Sequence, residues 1–361
     1  MSKRIIISVT SDLYTDQRVL KTANTCYRNG FDVLLIGRRL KKSKSLNLPF
    51  QTKRFNLIFN QSALFFAEFN IRLFLLLLFS RADIFFSNDT DTLSANFLAS
   101  KLRFKKLVFD AHELFPEIPE LQNRPFIKKC WTKIEDVIFP HLTNSYTVCN
   151  SIANYYNKKY GIAMKVVRNV PYFSEIVKRK VSSDNEKIIV YQGALNVGRG
   201  LEWILNAMPL IKNARLLIIG DGDIADSLKQ MVLKLDIGEK VIFTGRIEGE
   251  KMREFTTTAD IGLCILENKG LSYYYSLPNR IFDYLNAGVQ VLATDFPEIR
   301  NIVETHKTGV LISNYEPEYL ASVINEMLKN PISIEHFQTL SKDLCWEKED
   351  KVILEILGNL K

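Results

Sequence analysis

Short apolar runs rich in β-branched and aromatic residues recur along the chain. Longer segments between them have apolar positions at helical spacing. In the first half the runs are Ile5–Val9, Val33–Ile36, Ile84–Phe86, Leu107–Phe109 and Tyr146–Val148. They predict strands, with helices at about 16–29, 62–80, 91–103 and 124–140. The alternation restarts at Ile188–Tyr191 and continues through Arg215–Ile219, Val241–Phe243, Ile261–Cys264, Val289–Ala293 and Val310–Ile312. Strands separated by helical crossovers imply parallel sheets covered on both faces. The pattern therefore predicts an α/β chain of two doubly wound, Rossmann-like domains. They divide in the polar stretch Ser174–Glu186, which holds Ser182-Ser183-Asp184-Asn185. Ligands of such sheets bind beyond the carboxyl ends of the strands, so the expected site is a cleft between the two domains.

One segment departs from ordinary amphipathic patterning. Residues 62–79 hold twelve Leu, Ile and Phe, including Leu73-Phe74-Leu75-Leu76-Leu77-Leu78-Phe79. These would contribute about −4 to −7 kcal/mol to membrane insertion, while Glu68 and Arg72 would each cost about 2.5–3.5 kcal/mol, with Asn70 adding more. The balance is near zero, which argues against a spanning helix. A well-buried helix preceding the strand at Ile84 is the expectation, with a helix lying on a bilayer surface as the alternative.

Length and composition narrow the class. At 361 residues, with 47% apolar and 24% charged residues, the chain is globular and too long for one ordinary core. The five cysteines are scattered without a C-x-x-C pair, so neither a disulfide framework nor a zinc site is suggested and no metal is expected. No secretory signal pattern opens the sequence, and a cytoplasmic setting is expected. The net charge of +8 is unevenly spread: residues 1–172 carry 26 Lys and Arg against 13 Asp and Glu, and residues 173–361 carry 22 against 27. A basic first half suits an anionic surface or acceptor, and a peripheral position on the inner face of a membrane is the matching expectation. No nucleic-acid module accompanies that charge, so nucleic acid is not expected as a partner.

Candidate chemistry sits at the strand ends. Ser276-Leu277-Pro278-Asn279-Arg280-Ile281-Phe282-Asp283-Tyr284-Leu285-Asn286-Ala287-Gly288 reads as a loop and a short helix, followed by a buried strand. Pro278 suits the first helical turn and Gly288 the stop. The start of such a helix favours an anion, Arg280 adds a positive charge there, and Asp283 can accept hydrogen bonds from hydroxyls. These are the parts of a site for a phosphorylated, polyhydroxylated ligand. Gly193, Gly198 and Gly200 follow the strand at Ile188, with Arg199 among them. This loop is either a phosphate approach or a tight turn. Gly220-Asp221-Gly222-Asp223 and Thr244-Gly245-Arg246 carry the same two readings: ligand contact, or turn and helix cap. In the first half, Asp110-Ala111-His112-Glu113 ends a strand and suggests a hydrogen-bonding or charge-stabilising role for His112. Asp12, Asp16 and Arg18 follow the first strand and either bind an acceptor or cap the first helix. Ser87-Asn88-Asp89-Thr90-Asp91 offers the same choice.

Together these motifs resemble the GT-B glycosyltransferases of family 4, the "group 1" retaining enzymes, along nearly the full length. Gly193 matches the first glycine of the Gly-Arg-…-Lys-Gly element, Arg199 falls at its lysine and Gly200 at the glycine after it. Asp283 matches the second Glu of the Glu-x7-Glu element, and Tyr284 to Gly288 match the residues next to it. Val291-Leu292-Ala293-Thr294-Asp295 and Pro297-Glu298-Ile299 continue the match. Ala194 replaces the usual Arg, and Tyr275 stands where the first Glu would fall. The Pro-Asn-Arg-x-Phe-Asp-Tyr version is similar to that of branches building surface polysaccharides. The resemblance implies an acceptor domain at 1–172, a linker at 173–186, a nucleotide-sugar domain at 187–344 and, at 345–361, a last helix returning to the first domain. It implies retaining, metal-independent sugar transfer from a nucleotide-diphosphate sugar to a sugar or lipid-linked acceptor, without a cofactor. His112, Arg199 and Arg280 would be catalytic. Gly193, Arg199, Gly220, Arg246, Ser276, Leu277, Pro278, Asn279, Arg280 and Asp283 would hold the donor. Asp12, Asp16, Arg18, Asp110 and Glu113 would lie on the acceptor side. A nucleotide-sugar epimerase or hydrolase, or a non-catalytic nucleotide-sugar-binding protein, is the alternative on the same architecture.

Overall fold

The computed structural model describes residues 2–177, 186–247 and 249–360. It divides into two compact units, one of Met1–Asn169 with Glu349–Lys361 and one of Val170–Lys348. Residues 178–185 of the expected linker lie outside the described residues.

Unit 1 is a seven-stranded sheet of β1 (Arg4–Asp12), β2 (Asp32–Arg38), β3 (Gln51–Phe55), β4 (Ile84–Asn88), β5 (Lys106–Ala111), β6 (Ser145–Thr147) and β7 (Lys165–Val166). Every pairing is parallel, in the order β3-β2-β1-β4-β5-β6-β7. Unit 2 has β8 (Lys187–Gln192), β9 (Ala214–Ile219), β10 (Val241–Gly245), β11 (Ile261–Cys264), β12 (Gln290–Thr294) and β13 (Gly309–Ile312), again all parallel, in the order β10-β9-β8-β11-β12-β13. Both are Rossmann-like α/β sheets whose strand order reverses beside the first strand of the unit. There, carboxyl-end loops diverge and leave room for a ligand. All eleven apolar runs become strands. The two strands without such a run, β3 and β7, are the edges of the first sheet, where half-exposed positions need no apolar side chain.

Three helices of unit 1 matter below: α1 (Gln17–Arg28), α2 (Ser62–Phe79) and α3 (Thr90–Leu102). α2 is not the well-buried helix its composition suggested. Phe69, Leu73 and Leu77 pack against Ile6, Ile36, Phe85, Ala95 and Ala99, and Phe65 is buried beside Phe69, while Leu64, Ile71, Leu75 and Phe79 are exposed. Its two charges are paired with each other (Arg72 Nη2–Glu68 Oε1, 2.6 Å), and Glu68 accepts the N–H groups of Ile58 and Phe59. The C-terminal helix Trp346–Gly358 is tied within unit 1 from Glu349 onward: Arg168 donates to Glu349 and Lys165 pairs with Glu355.

Candidate functional site

The glycine loops of unit 2 meet at the carboxyl end of β8 and β9. A Cβ on Gly220 would stand 1.9 Å from the Gly193 carbonyl oxygen, and both residues have left-handed backbones (φ +149° and +136°). Only glycine permits this approach. With Ala194, Asp221, Gly222, Arg246, Ile247 and Met252 they line a cavity of about 490 Å³, large enough for part of a nucleotide. The acidic residues of the Gly220 loop do not cap the next helix. That helix, Ala225–Lys234, begins after Ile224, and Asp221 instead accepts its neighbour's N–H.

Arg280 lies behind Gly193. A Cβ there would be 3.8 Å from the Arg280 Cζ. Its helix runs from Asn279 to Asn286, so Pro278 is the N-cap residue rather than part of the first turn, and Gly288 follows the C-cap with φ +70°. The Arg280 guanidinium is buried, sits 4.6 Å from the Tyr191 ring centroid and leaves Nη1 without a hydrogen-bond partner. Arg199 packs 4.9 Å from the Tyr273 ring centroid, and its buried Nε also lacks a partner. Burial pushes the Cys264 thiol up to about 11, and Arg280 and Arg199 both pull against it, so both cations act near the end of β11. Donors buried without partners cost roughly 1–3 kcal/mol each, and an anion would satisfy them. One step away, Gln192 donates to Asp283 Oδ2 (2.8 Å) and accepts from Thr256 Oγ1 (2.7 Å), which fixes the carboxylate's direction. Arg246 and Asn279 are exposed, Leu277 is buried, and Ser276 Oγ closes the preceding turn on the Tyr273 carbonyl.

Unit 1 gathers a second polar cluster at the carboxyl ends of β4 and β5. Arg18 on α1 grips Asp110 with two hydrogen bonds (2.8 and 2.7 Å), and His112 Nε2 lies 3.1 Å from Asp110. His112 Nδ1 lies 3.1 Å from Asp89, whose other oxygen accepts the His112 N–H. Burial opposes charge on the ring, but the two carboxylates outweigh it and raise its pKa well above the ordinary histidine value. Burial would likewise raise Asp110, yet Arg18 and His112 hold its carboxyl at about 2. Asp89 has φ +59°, a costly backbone for a non-glycine residue and one that clusters at functional sites. Thr10 Oγ1 donates to Asp91, whose carboxyl is pushed up to about 7 by burial and then by Asp89. Burial, Asp89 and Glu120 push Glu113 up to about 8. Asp16 is the N-cap of α1, accepting from Val19 N and Ser11 Oγ, and Asp12 binds Tyr14 N and Ser43 Oγ. Among the acceptor-side candidates, the structure therefore joins Arg18 and Asp110 directly, Asp110 also meeting the catalytic candidate His112, and gives Asp12 and Asp16 local loop contacts.

Residues 186–330 match the family model described as glycosyl transferases, group 1. The matched segment lies within unit 2, which is thus the part of the chain similar to group 1 glycosyl transferases. The chain is 26% identical to an uncharacterized glycosyltransferase of Methanocaldococcus jannaschii over 46% of its own length and 42% of the relative's. It spans about half or less of the length of the curated relatives it matches. The solved sucrose-phosphate synthase of Thermosynechococcus elongatus superposes with a TM-score of 0.78 over 99% of both chains at 16% identity. The Anabaena protein HepE, solved with UDP and glucose, gives 0.72 over 99% of this chain and 100% of its own at 16% identity. The fold is thus that of GT-B glycosyltransferase structures.

Sequence reasoning did not single out Gln192, Thr256, Tyr191 or Tyr273 in unit 2, nor Thr10 in unit 1, whereas Asp89 and Asp91, offered by the sequence as ligand contacts or helix caps, contact His112 and Thr10. Gln192 ends a strand, which is the signal that could have found it. Thr256 and Tyr273 reach their partners only through packing.

Proposed function

We propose that the chain transfers a sugar from a nucleotide-diphosphate sugar to a sugar or lipid-linked acceptor, with retention of configuration and without a metal. The observation that carries this reading is the pair of cations, Arg199 and Arg280, with buried unpartnered donors near the end of β11, Arg280 next to Gly193 of the glycine-lined cavity. In the proposed reaction the leaving diphosphate gains charge as the glycosidic bond breaks. Fixed guanidinium donors stabilise that charge more than they stabilise the ground state. Asp283, aimed by Gln192, takes the ribose hydroxyls, and the glycine backbones around Gly220 approach the nucleotide. Asp89 and Asp110 keep His112 protonated and oriented, Arg18 holds Asp110 in place, and turnover depends on His112. The acceptor belongs to a surface glycan or a lipid-linked precursor, and the protein works at the inner face of a membrane.

Thermal unfolding with UDP-, GDP- and ADP-sugars tests the reading. A ligand at one hundred times its Kd adds about 2.7 kcal/mol, worth roughly 5–10 °C in Tm. Absence of a shift with all three would refute nucleotide-sugar binding. Turnover of the bound donor to an epimer without acceptor would refute transfer.

A further inference from the structure

The outer surface of α2 and α3 in unit 1 is apolar, exposed and edged by cations. The eighteen residues of α2 span about 27 Å, and Leu64, Ile71, Leu75 and Phe79 form a stripe along that length. α3 runs beside it in the same direction: Asn70 of α2 donates to the Asp91 carbonyl and accepts the Ala95 N–H, while Arg103 caps the end of α2 through the carbonyls of Leu77 and Ser80. Leu98 and Leu102 extend the apolar surface, which ends at Phe79 (82% exposed) and Phe104 (95% exposed).

Phe104 is the informative residue. It follows the α3 C-cap with φ +53°, a left-handed backbone that ordinarily selects glycine. A bulky aromatic held there gains nothing from packing within the chain. It carries a backbone cost and an exposed ring together, which suits a residue whose contact lies outside the molecule.

The same edge is basic. Arg81, Lys101 and Lys106 are exposed and Arg103 and Lys105 half-buried, and Asp83 opposite them is engaged by Lys105 (3.6 Å) and by the Arg4 N–H (2.9 Å). β4 and β5 begin here, with Ile84 in register with Lys106, whereas the His112 cluster sits at their other ends. We propose that this face docks on a lipid bilayer bearing anionic headgroups, with Phe79 and Phe104 entering the acyl boundary and the cations meeting the headgroups. A helix packed along one side into the sheet lies in the plane of the bilayer rather than across it. Single exposed rings and flanking cations are the pattern of interfacial binding. The proposal does not depend on sugar transfer.

Co-sedimentation of the full chain with phosphatidylcholine vesicles, with and without phosphatidylglycerol, tests it at low salt. The wild type is expected to pellet with the phosphatidylglycerol vesicles. Phe79→Ser combined with Phe104→Gly should reduce partitioning at least about tenfold, with a Tm equal to or above wild type because glycine relieves residue 104. Arg81→Glu with Lys106→Glu should remove the preference for phosphatidylglycerol. A wild type that stays in the supernatant, or a Phe79/Phe104 variant that binds equally, overturns the proposal. So does a wild-type dimer in analytical ultracentrifugation that the Phe79/Phe104 substitutions convert to monomer, because a second copy then covers the face.

Discussion

Replacing Arg280 with Met separates binding from folding in unit 2. The guanidinium is buried, stacks at 4.6 Å on Tyr191 and leaves Nη1 without a partner. In the free protein, Met keeps most of the side chain's volume. It forfeits a cation–π contact worth about 0.5–2 kcal/mol and removes an unsatisfied buried donor that costs about 1–3 kcal/mol. The two nearly cancel, so the stability of the apo protein should change by no more than about 1 kcal/mol, or roughly 2–4 °C in Tm for domains of this size. In the complex, Met removes a charge-assisted hydrogen bond to phosphate worth about 1.5–3 kcal/mol, a loss of roughly 10- to 150-fold in affinity. Calorimetry with UDP, GDP and ADP measures the second quantity and differential scanning the first. Unchanged affinity for whichever nucleotide the wild type binds would refute the anion role. A fall of ten degrees or more in Tm, on the order of several kcal/mol, would show Arg280 to be a structural strut.

Gln192→Leu should weaken nucleotide binding by about 1 kcal/mol, roughly fivefold, because Asp283 and Thr256 both lose a partner. An affinity equal to wild type would mean that Asp283 needs no aiming. His112→Ala should lower turnover more than donor affinity, and equal activity in both measurements would exclude His112 from the reaction. The imidazole itself should remain protonated in an NMR titration through neutral pH, since Asp89 and Asp110 raise its pKa well above the ordinary value. Its stabilising contribution is full below its unfolded pKa of about 6.5 and is lost only as pH rises through the higher folded value. Asp91 also has a raised pKa, about 7 in the fold. Its contribution is thus present below its unfolded pKa of about 4 and is lost as pH rises toward 7. Asp91→Asn should therefore gain stability relative to wild type over that window, by on the order of a few kcal/mol. Denaturation curves with a constant difference across the window would contradict the buried placement of its carboxyl.

The parallel-sheet architecture was legible because a strand buried on both faces must be apolar throughout. Ile5–Val9 and Ile261–Cys264 announce themselves for that reason. Edge strands carry no such requirement, so Gln51–Phe55 passed unseen. The phosphate end of the site was legible for a related reason. Close backbone approach demands glycine at 220 and a positive φ demands it at 193, and a first-turn cation can be seen in sequence at Arg280. The partners that aim these groups were not, because Gln192 and Thr256 are 64 positions apart and meet only when β8 and the helix Gly249–Thr256 pack.

Local sequence determined where strands and helices form, where glycine is required and which residues supply positive charge. Those choices are set by sterics and burial within a few residues of each position. Tertiary structure decided which face of α2 is exposed, which carboxylates surround His112, and that Arg199 and Arg280 act near one strand end with donors unpaired. Each of these depends on contacts between segments distant in the chain, and no short-range pattern in the sequence encodes them.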